Sequence, residues 1–259
     1  MKKIFTLLAL TIAFTVSAQT NTNFGTESLN SNTSGVFNSA FGYQSLKSNT
    51  TGYMNTAYGN KSLKSNTTGN FNTASGNESL YSNTTGNFNT ASGDESLYSN
   101  TTGFRNTAYG YNSLYSNTTG EENTASGYKS LNSNTTGSYN AASGMFSLQT
   151  NTTGSYNTAF GYNAKASTDN ATNQIIIGYE ATGQADNSVV LGNDDVTAVY
   201  MGEDSGATVY AASFVGDGSQ LTGITGSASS LNDLTDVLVD SNSMFLSNPP
   251  TNSTGGYNT

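Results

Sequence analysis

The sequence predicts an all-β fold, a parallel β-solenoid of short stacked coils, from three observations. Glycine recurs every 17 residues at Gly25, Gly42, Gly59, Gly76, Gly93, Gly110, Gly127, Gly144 and Gly161, and a second series from Gly35 through Gly52 and Gly69 to Gly154 keeps the same step. Leucine holds that step at Leu29, Leu46, Leu63, Leu80, Leu97, Leu114, Leu131 and Leu148. Ser-Asn-Thr-Thr-Gly clusters, which make turns, leave only two short segments per period, x-N-T-A-x and x-S-L-x-S, each the length of one strand. Two strands and two turns describe one coil, stacking on the next at about 4.8 Å. Identical residues then lie above one another, and Asn, Thr and Ser can ladder where an apolar core is thin.

The composition fits this reading. Hydrophobic residues make up 34% of the 259-residue chain and charged residues 10%, both well below globular averages of roughly 45–50% and about 25%. Composition alone would suit a disordered chain, but random low-complexity sequence does not hold two glycine registers in phase over so many intervals. His, Cys and Trp are absent, which removes Ser-His-Asp and Cys-His catalysis, disulfides, and His or Cys metal sites. No cofactor is expected. With a net charge of −9 and a single arginine, Arg105, the chain is unsuited to a row of phosphates, so no nucleic-acid partner is expected.

Residues 1–18 read as a signal peptide. Met1-Lys2-Lys3 is a basic start, Ile4 to Val16 an apolar run too short for a membrane span, and Val16-Ser17-Ala18 a small-residue cleavage site. The rest is expected to work outside the cytoplasm.

Residues 19–161 carry the 17-residue coils. Each offers one Leu, one Ala and often an aromatic to bury, returning about 1.5–3 kcal/mol for the Leu against roughly 1.5 kcal/mol lost per ordered residue. Self-association around a shared axis is the expected remedy. Alternation places Asn38, Ala40 and Gly42 on one strand face and Phe37, Ser39 and Phe41 on the other. The sequence leaves open which face lines the coil and which meets a neighbouring chain.

Residues 162–200 change period. Asn173-Gln174-Ile175-Ile176-Ile177-Gly178 and Asn187-Ser188-Val189-Val190-Leu191-Gly192 repeat at 14 residues. This stretch resembles the head repeats of YadA-like trimeric autotransporter adhesins, whose motif reads roughly N-S-V-A-I-G. The N-T-A-x-G units look like a polar version of it, extending the resemblance over about Gly25 to Gly192. Similar Asn/Thr-rich repeats occur in hemagglutinin-like surface proteins and phage tail fibres. The resemblance implies a left-handed β-roll in each chain, a homotrimer, a place at the cell surface in association with the outer membrane, and attachment to a host-surface protein or glycan without catalysis.

Residues 201–226 are expected to be a connector, since Phe214-Val215-Gly216-Asp217-Gly218-Ser219-Gln220-Leu221-Thr222 resembles a segment common in trimeric fibres. Residues 227–248, with Leu231, Leu234, Val237 and Leu238 at helical spacing before Pro249-Pro250, are expected to be a short helical or neck segment. Residues 249–259 restate the repeat and read as the start of a truncated further block.

Tyr81, Tyr98 and Tyr115 share one slot in three consecutive coils and are the candidate ligand-binding residues. Two readings stay open for them: a column that stacks on sugars, or a ladder that only stabilises the coils. The N-T-T triplets at Asn49, Asn66, Asn83, Asn100, Asn117, Asn134 and Asn151 satisfy the glycosylation sequon and also suit turns. Regular Thr columns raise ice binding as a minor alternative, against which stand the varied neighbours Phe37, Met54, Phe71, Phe88, Arg105, Glu122, Tyr139 and Tyr156. Paired carboxylates such as Asp94/Glu95 and Glu121/Glu122 fall in variable slots, where charges face water, and no enzyme is expected.

Overall fold

Most of the 17-residue repeats contribute one short strand of outward Thr, inward Ala and a variable outward residue, and the computed structural model stacks these strands in chain order. It describes residues 21–199; the expected signal peptide at 1–18, connector at 201–226, neck at 227–248 and terminal block at 249–259 lie outside them. The strands are β1 (Thr22–Phe24), β2 (Ser39–Phe41), β3 (Thr56–Tyr58), β4 (Thr73–Ser75), β5 (Thr90–Ser92), β6 (Thr107–Tyr109), β7 (Thr124–Ser126), β8 (Ala141–Ser143), β9 (Thr158–Phe160), β10 (Gln174–Ile177) and β11 (Ser188–Leu191). They form one 11-stranded sheet in the order β1 to β11, every pair parallel. The described residues contain no helix. This is an all-parallel β-solenoid of about ten turns.

The register is strict. Ala57 pairs with Ala74 and Ala74 with Ala91, one period apart. The 17-residue step persists through the β9–β10 pair, where Ala159 sits opposite Ile176, and the 14-residue step sets in only between β10 and β11, with Ile176 opposite Val190. The shorter period therefore starts one coil later than the change of sequence pattern at residue 162 suggests.

The expectation of two strands per coil needs correction. The x-S-L-x-S segment is a chain of turns, because two of its residues take left-handed backbone: φ is 55° at Gln44 and 49° at Leu46, and the same pair recurs at Lys61 and Leu63 and in the coils that follow. An L-residue pays roughly 1–2 kcal/mol for that conformation. Two things offset it. The Leu side chains from Leu46 to Leu148 are completely buried, and the segment still bonds to its neighbour, Leu46 N–H donating to Ser62 C=O at 3.0 Å and Ser48 N–H to Lys64 C=O at 3.0 Å.

The interior is the face that carries Asn38, Ala40 and their equivalents. Ala40, Ala57, Ala74 and onward are buried together with the Leu column. Between them run two columns of buried amides. In the first, Asn55 donates its backbone N–H (3.0 Å) and Nδ2 (3.2 Å) to Asn38 Oδ1, and its Nδ2 also reaches Gly69 C=O at 2.8 Å. In the second, Asn66 Nδ2 donates to Asn49 Oδ1 at 2.8 Å and to Gly69 C=O at 3.0 Å. Within the ladders each amide donates and accepts, which removes the usual penalty of burying it, and only Asn151 Oδ1, at the end of the second column, is left without a partner. The ladders order a core too thin to be held by hydrophobic burial alone.

The two glycine series answer different demands. Gly59 has φ +139°, a conformation side chains rarely adopt. Gly69 has ordinary backbone, but an added Cβ would run into Asn66 Oδ1 and the carbonyl of Gly86. Gly178 and Gly192 close the strand-end series with φ +139° and +87°.

Candidate functional site

Because coils stack in register, any side chain that points outward becomes part of a column, and the columns are the surface chemistry of this protein. Tyr81, Tyr98 and Tyr115 come together as expected. Their rings lie 5.0 and 5.1 Å apart, centroid to centroid, with planes 10° apart in both pairs. They are half-buried. Lys64 closes the column at Tyr81, its Nζ donating to the phenol oxygen at 2.9 Å and lying 4.9 Å from the ring centroid. Burial and the neighbouring carboxylate of Glu78 push the Tyr98 phenol above its ordinary range. Ring faces in this column cover one another, so it offers a ligand its edges and hydroxyls.

The flanking column is ionic. Lys61 Nζ and Glu78 Oε1 are 2.8 Å apart, and Lys47 meets Glu27 at 2.6 Å. The Lys47 bond holds the Glu27 carboxyl below its usual range. Asn77 Nδ2 donates to Asp94 Oδ1 at 2.7 Å.

A second aromatic column was not singled out from the sequence. Tyr111 stacks on Tyr128 at 5.3 Å, Phe146 stands edge-on at 5.4 Å from Tyr128, and Tyr162 stacks on Tyr179 at 5.3 Å. These tyrosines occupy the slot directly after the strand-end glycines, and aligning the repeats on glycine would have found them. A third set, Phe24, Phe41 and Tyr58, sits in the last strand position. With Gly25, Gly42, Gly59 and Asn60 it lines a groove of about 420 Å³.

The N-T-T triplets resolve into turns. Asn49, Asn66, Asn83, Asn100, Asn117, Asn134 and Asn151 are buried, and their Nδ2 atoms are committed within the amide ladder. An attached glycan has no room there. The first Thr of each triplet donates to the next coil, as in Thr67 Oγ1 to Thr84 C=O at 3.0 Å, while the second, such as Thr68, is exposed. The strand threonines form another outward column, interrupted at its flanks by the exposed rings of Phe71, Phe88 and Tyr109. Beside them Arg105 pairs with Glu122 at 2.9 Å. Glu121 and Glu122 raise the Tyr139 phenol pKa through their negative charge.

At the C-terminal end of the sheet the outward face turns aliphatic. Phe160, Ile175, Ile177, Val189 and Leu191 are exposed on β9–β11, with Val189 at 60% and Phe160 at 61%. Among the described residues, these strands place no charged side chain on that face. No family model and no curated protein matches this chain.

Proposed function

We propose that this chain is a secreted, non-catalytic surface fibre or adhesin head, exported by residues 1–18 and acting as a homotrimer of left-handed rolls. The observation that carries the reading is the uncharged aliphatic face of β9–β11. Five large apolar side chains facing water in adjacent strands mark an association surface, and a single thin roll offers no second layer to cover them. Packing three copies through this face removes them from water and leaves the Tyr81, Tyr98 and Tyr115 column outside.

Such an assembly attaches by multivalent display. Repeated coils present the same groups many times, and linking weak contacts raises avidity by about 10²–10⁴ over one contact. The partner in this reading is a protein or glycan on another surface. A phage-type tail-fibre receptor-binding protein of the same build is the alternative, disfavoured by the export signal. An ice-binding solenoid is the minor one, and the rings flanking the strand threonines weigh against a flat ice face.

Sedimentation of the 19–259 chain with and without Ile177→Asp and Leu191→Asp tests the proposal. The unsubstituted chain is expected to sediment as a trimer and the doubly substituted one as a single chain with the same circular dichroism. Equal sedimentation of the two refutes the role given to this face.

A further inference from the structure

The groove at the opposite end of the sheet differs from the Tyr81–Tyr98–Tyr115 column in the accessibility of its ring faces. Tyr81 and Tyr98 are nearly coplanar at 5.0 Å. Phe41 and Tyr58 stand 6.2 Å apart with planes tilted by 41°, so neither ring seals the other. Phe24 is 78% exposed and Tyr58 64%. Immediately beside these rings run Gly25, Gly42 and Gly59, whose backbone lines the floor of the cleft; a Cβ on each would meet the backbone of the next coil's glycine. Their φ values of +140°, +133° and +139° are required by the coil, so the floor is a fixed consequence of the fold.

We infer that this groove is a binding site for a neutral sugar, one or two pyranose units of a longer glycan laid along the solenoid axis. The inference rests on the attachment reading above and names its ligand class. An aromatic face carries negative charge density and attracts the positively polarised axial C–H groups of a pyranose. Asn60 sits at the rim and donates its Nδ2 to Asn77 Oδ1 at 2.9 Å, leaving Oδ1 to accept from a sugar hydroxyl. No lining residue is charged, which selects against the acidic sugars that an acidic chain also repels.

A second copy of the chain is the rival occupant, because Phe24, Phe41 and Tyr58 begin the strand-end column that ends in Phe160, Ile177 and Leu191; the mass measurement below separates the two, and size favours the sugar. A stable protein interface takes about 20–30 residues a side, whereas seven line this groove. The same column continues with Ser75 and Ser92, so the apolar surface stops after three coils. A short stretch of sugar fits that length.

The test is saturation-transfer NMR of the purified chain with cellobiose, lactose and maltose, alongside its mass by light scattering. Transfer to axial sugar protons is expected from at least one disaccharide. Replacing both rings (Phe41→Ala with Tyr58→Ala) should weaken it about tenfold, the scale of losing two stacking contacts. The exposed Thr85→Ala should leave it unchanged. No transfer from any disaccharide, or equal transfer in the double variant, overturns the inference. So does a double variant that changes mass, which would make the groove a contact between copies. A trimer that takes no sugar defeats the groove alone; a single chain that takes sugar defeats the trimeric reading alone.

Discussion

Asn106 and Asn89 are bonded to each other twice: the Asn106 backbone N–H and its Nδ2 both donate to Asn89 Oδ1, at 3.0 and 3.3 Å, and both residues are fully buried. The same relation links the corresponding residues of each successive coil from Asn38 to Asn157. One side chain therefore satisfies the backbone and the side chain of the next coil. Replacing Asn89 by Ala leaves the buried Asn106 backbone N–H without an acceptor, at about 1–3 kcal/mol, and takes one of two hydrogen bonds from Asn106 Nδ2 and one of two from Gly103 C=O. Urea unfolding should show a loss of about 3 kcal/mol or more, against under about 0.5 kcal/mol for the exposed Thr85→Ala.

Leu97 combines complete burial with φ 52°. Leu97→Ala should cost about 2–5 kcal/mol through the cavity it leaves. Leu97→Ile is the sharper probe. A volume-conserving swap ordinarily costs under about 1.5 kcal/mol, but a β-branched side chain tolerates left-handed backbone poorly. Chemical denaturation should therefore place Leu97→Ile at about 2 kcal/mol or worse.

Gly69→Ala tests the second glycine series. Since Gly69 has no positive φ, the damage comes only from a Cβ pressed against Asn66 Oδ1 and Gly86 C=O. Backbone cannot swing aside as a flexible side chain does, and the variant should lose more than about 4 kcal/mol, the range reserved for major disruptions. A melting temperature close to the parent's would show that the coils tolerate wider spacing than the ladder implies.

Tyr98 sets an alkaline limit. Its folded pKa is raised above the ordinary value of 10.0 by burial first and by Glu78 next. The folded state thus favours the neutral phenol. The stability this contributes is complete below the unfolded pKa and is lost as pH rises through the folded one. Thermal melts should hold level up to about pH 10 and fall above it. Phenolate absorbance should show Tyr98→Phe removing a component that ionises above the ordinary phenol range.

The buried sequon asparagines make a prediction about modification. When the chain is passed through a glycosylating secretory pathway, folded product should carry no glycan at Asn66, Asn83 or Asn100, because their Nδ2 atoms are held by the preceding Asn and by Gly69, Gly86 and Gly103. Peptide mapping by mass spectrometry reads this directly. Occupancy at these sites in folded, protease-resistant material would contradict the ladder.

Much of this was legible from the repeats. The Thr-Ala-x segments could be placed as strands because an invariant step puts Ala57, Ala74 and Ala91 in one column whatever the details of the turns. The Tyr81–Tyr98–Tyr115 stack followed from the same step. The backbone of x-S-L-x-S was not legible, since left-handed φ at Leu63 or Lys61 leaves no mark on composition when the residue is not glycine. Nor was the choice of inner face: Asn38 and Ser39 are both small and polar, and only the hydrogen bonds of Asn38 to Gly52 and Asn55 decide between them. The groove at Phe41 and Tyr58 was missed because the glycines beside it were read only as turn residues, when their backbone also lines the cleft.

The central claim is that rolls of this chain associate through the aliphatic face of β9–β11. Static light scattering of the 19–259 chain over a dilution series measures it most directly. Three times the single-chain mass, held constant on dilution, is the predicted result. A stable single-chain mass, with the sheet signal of a folded protein, would contradict it.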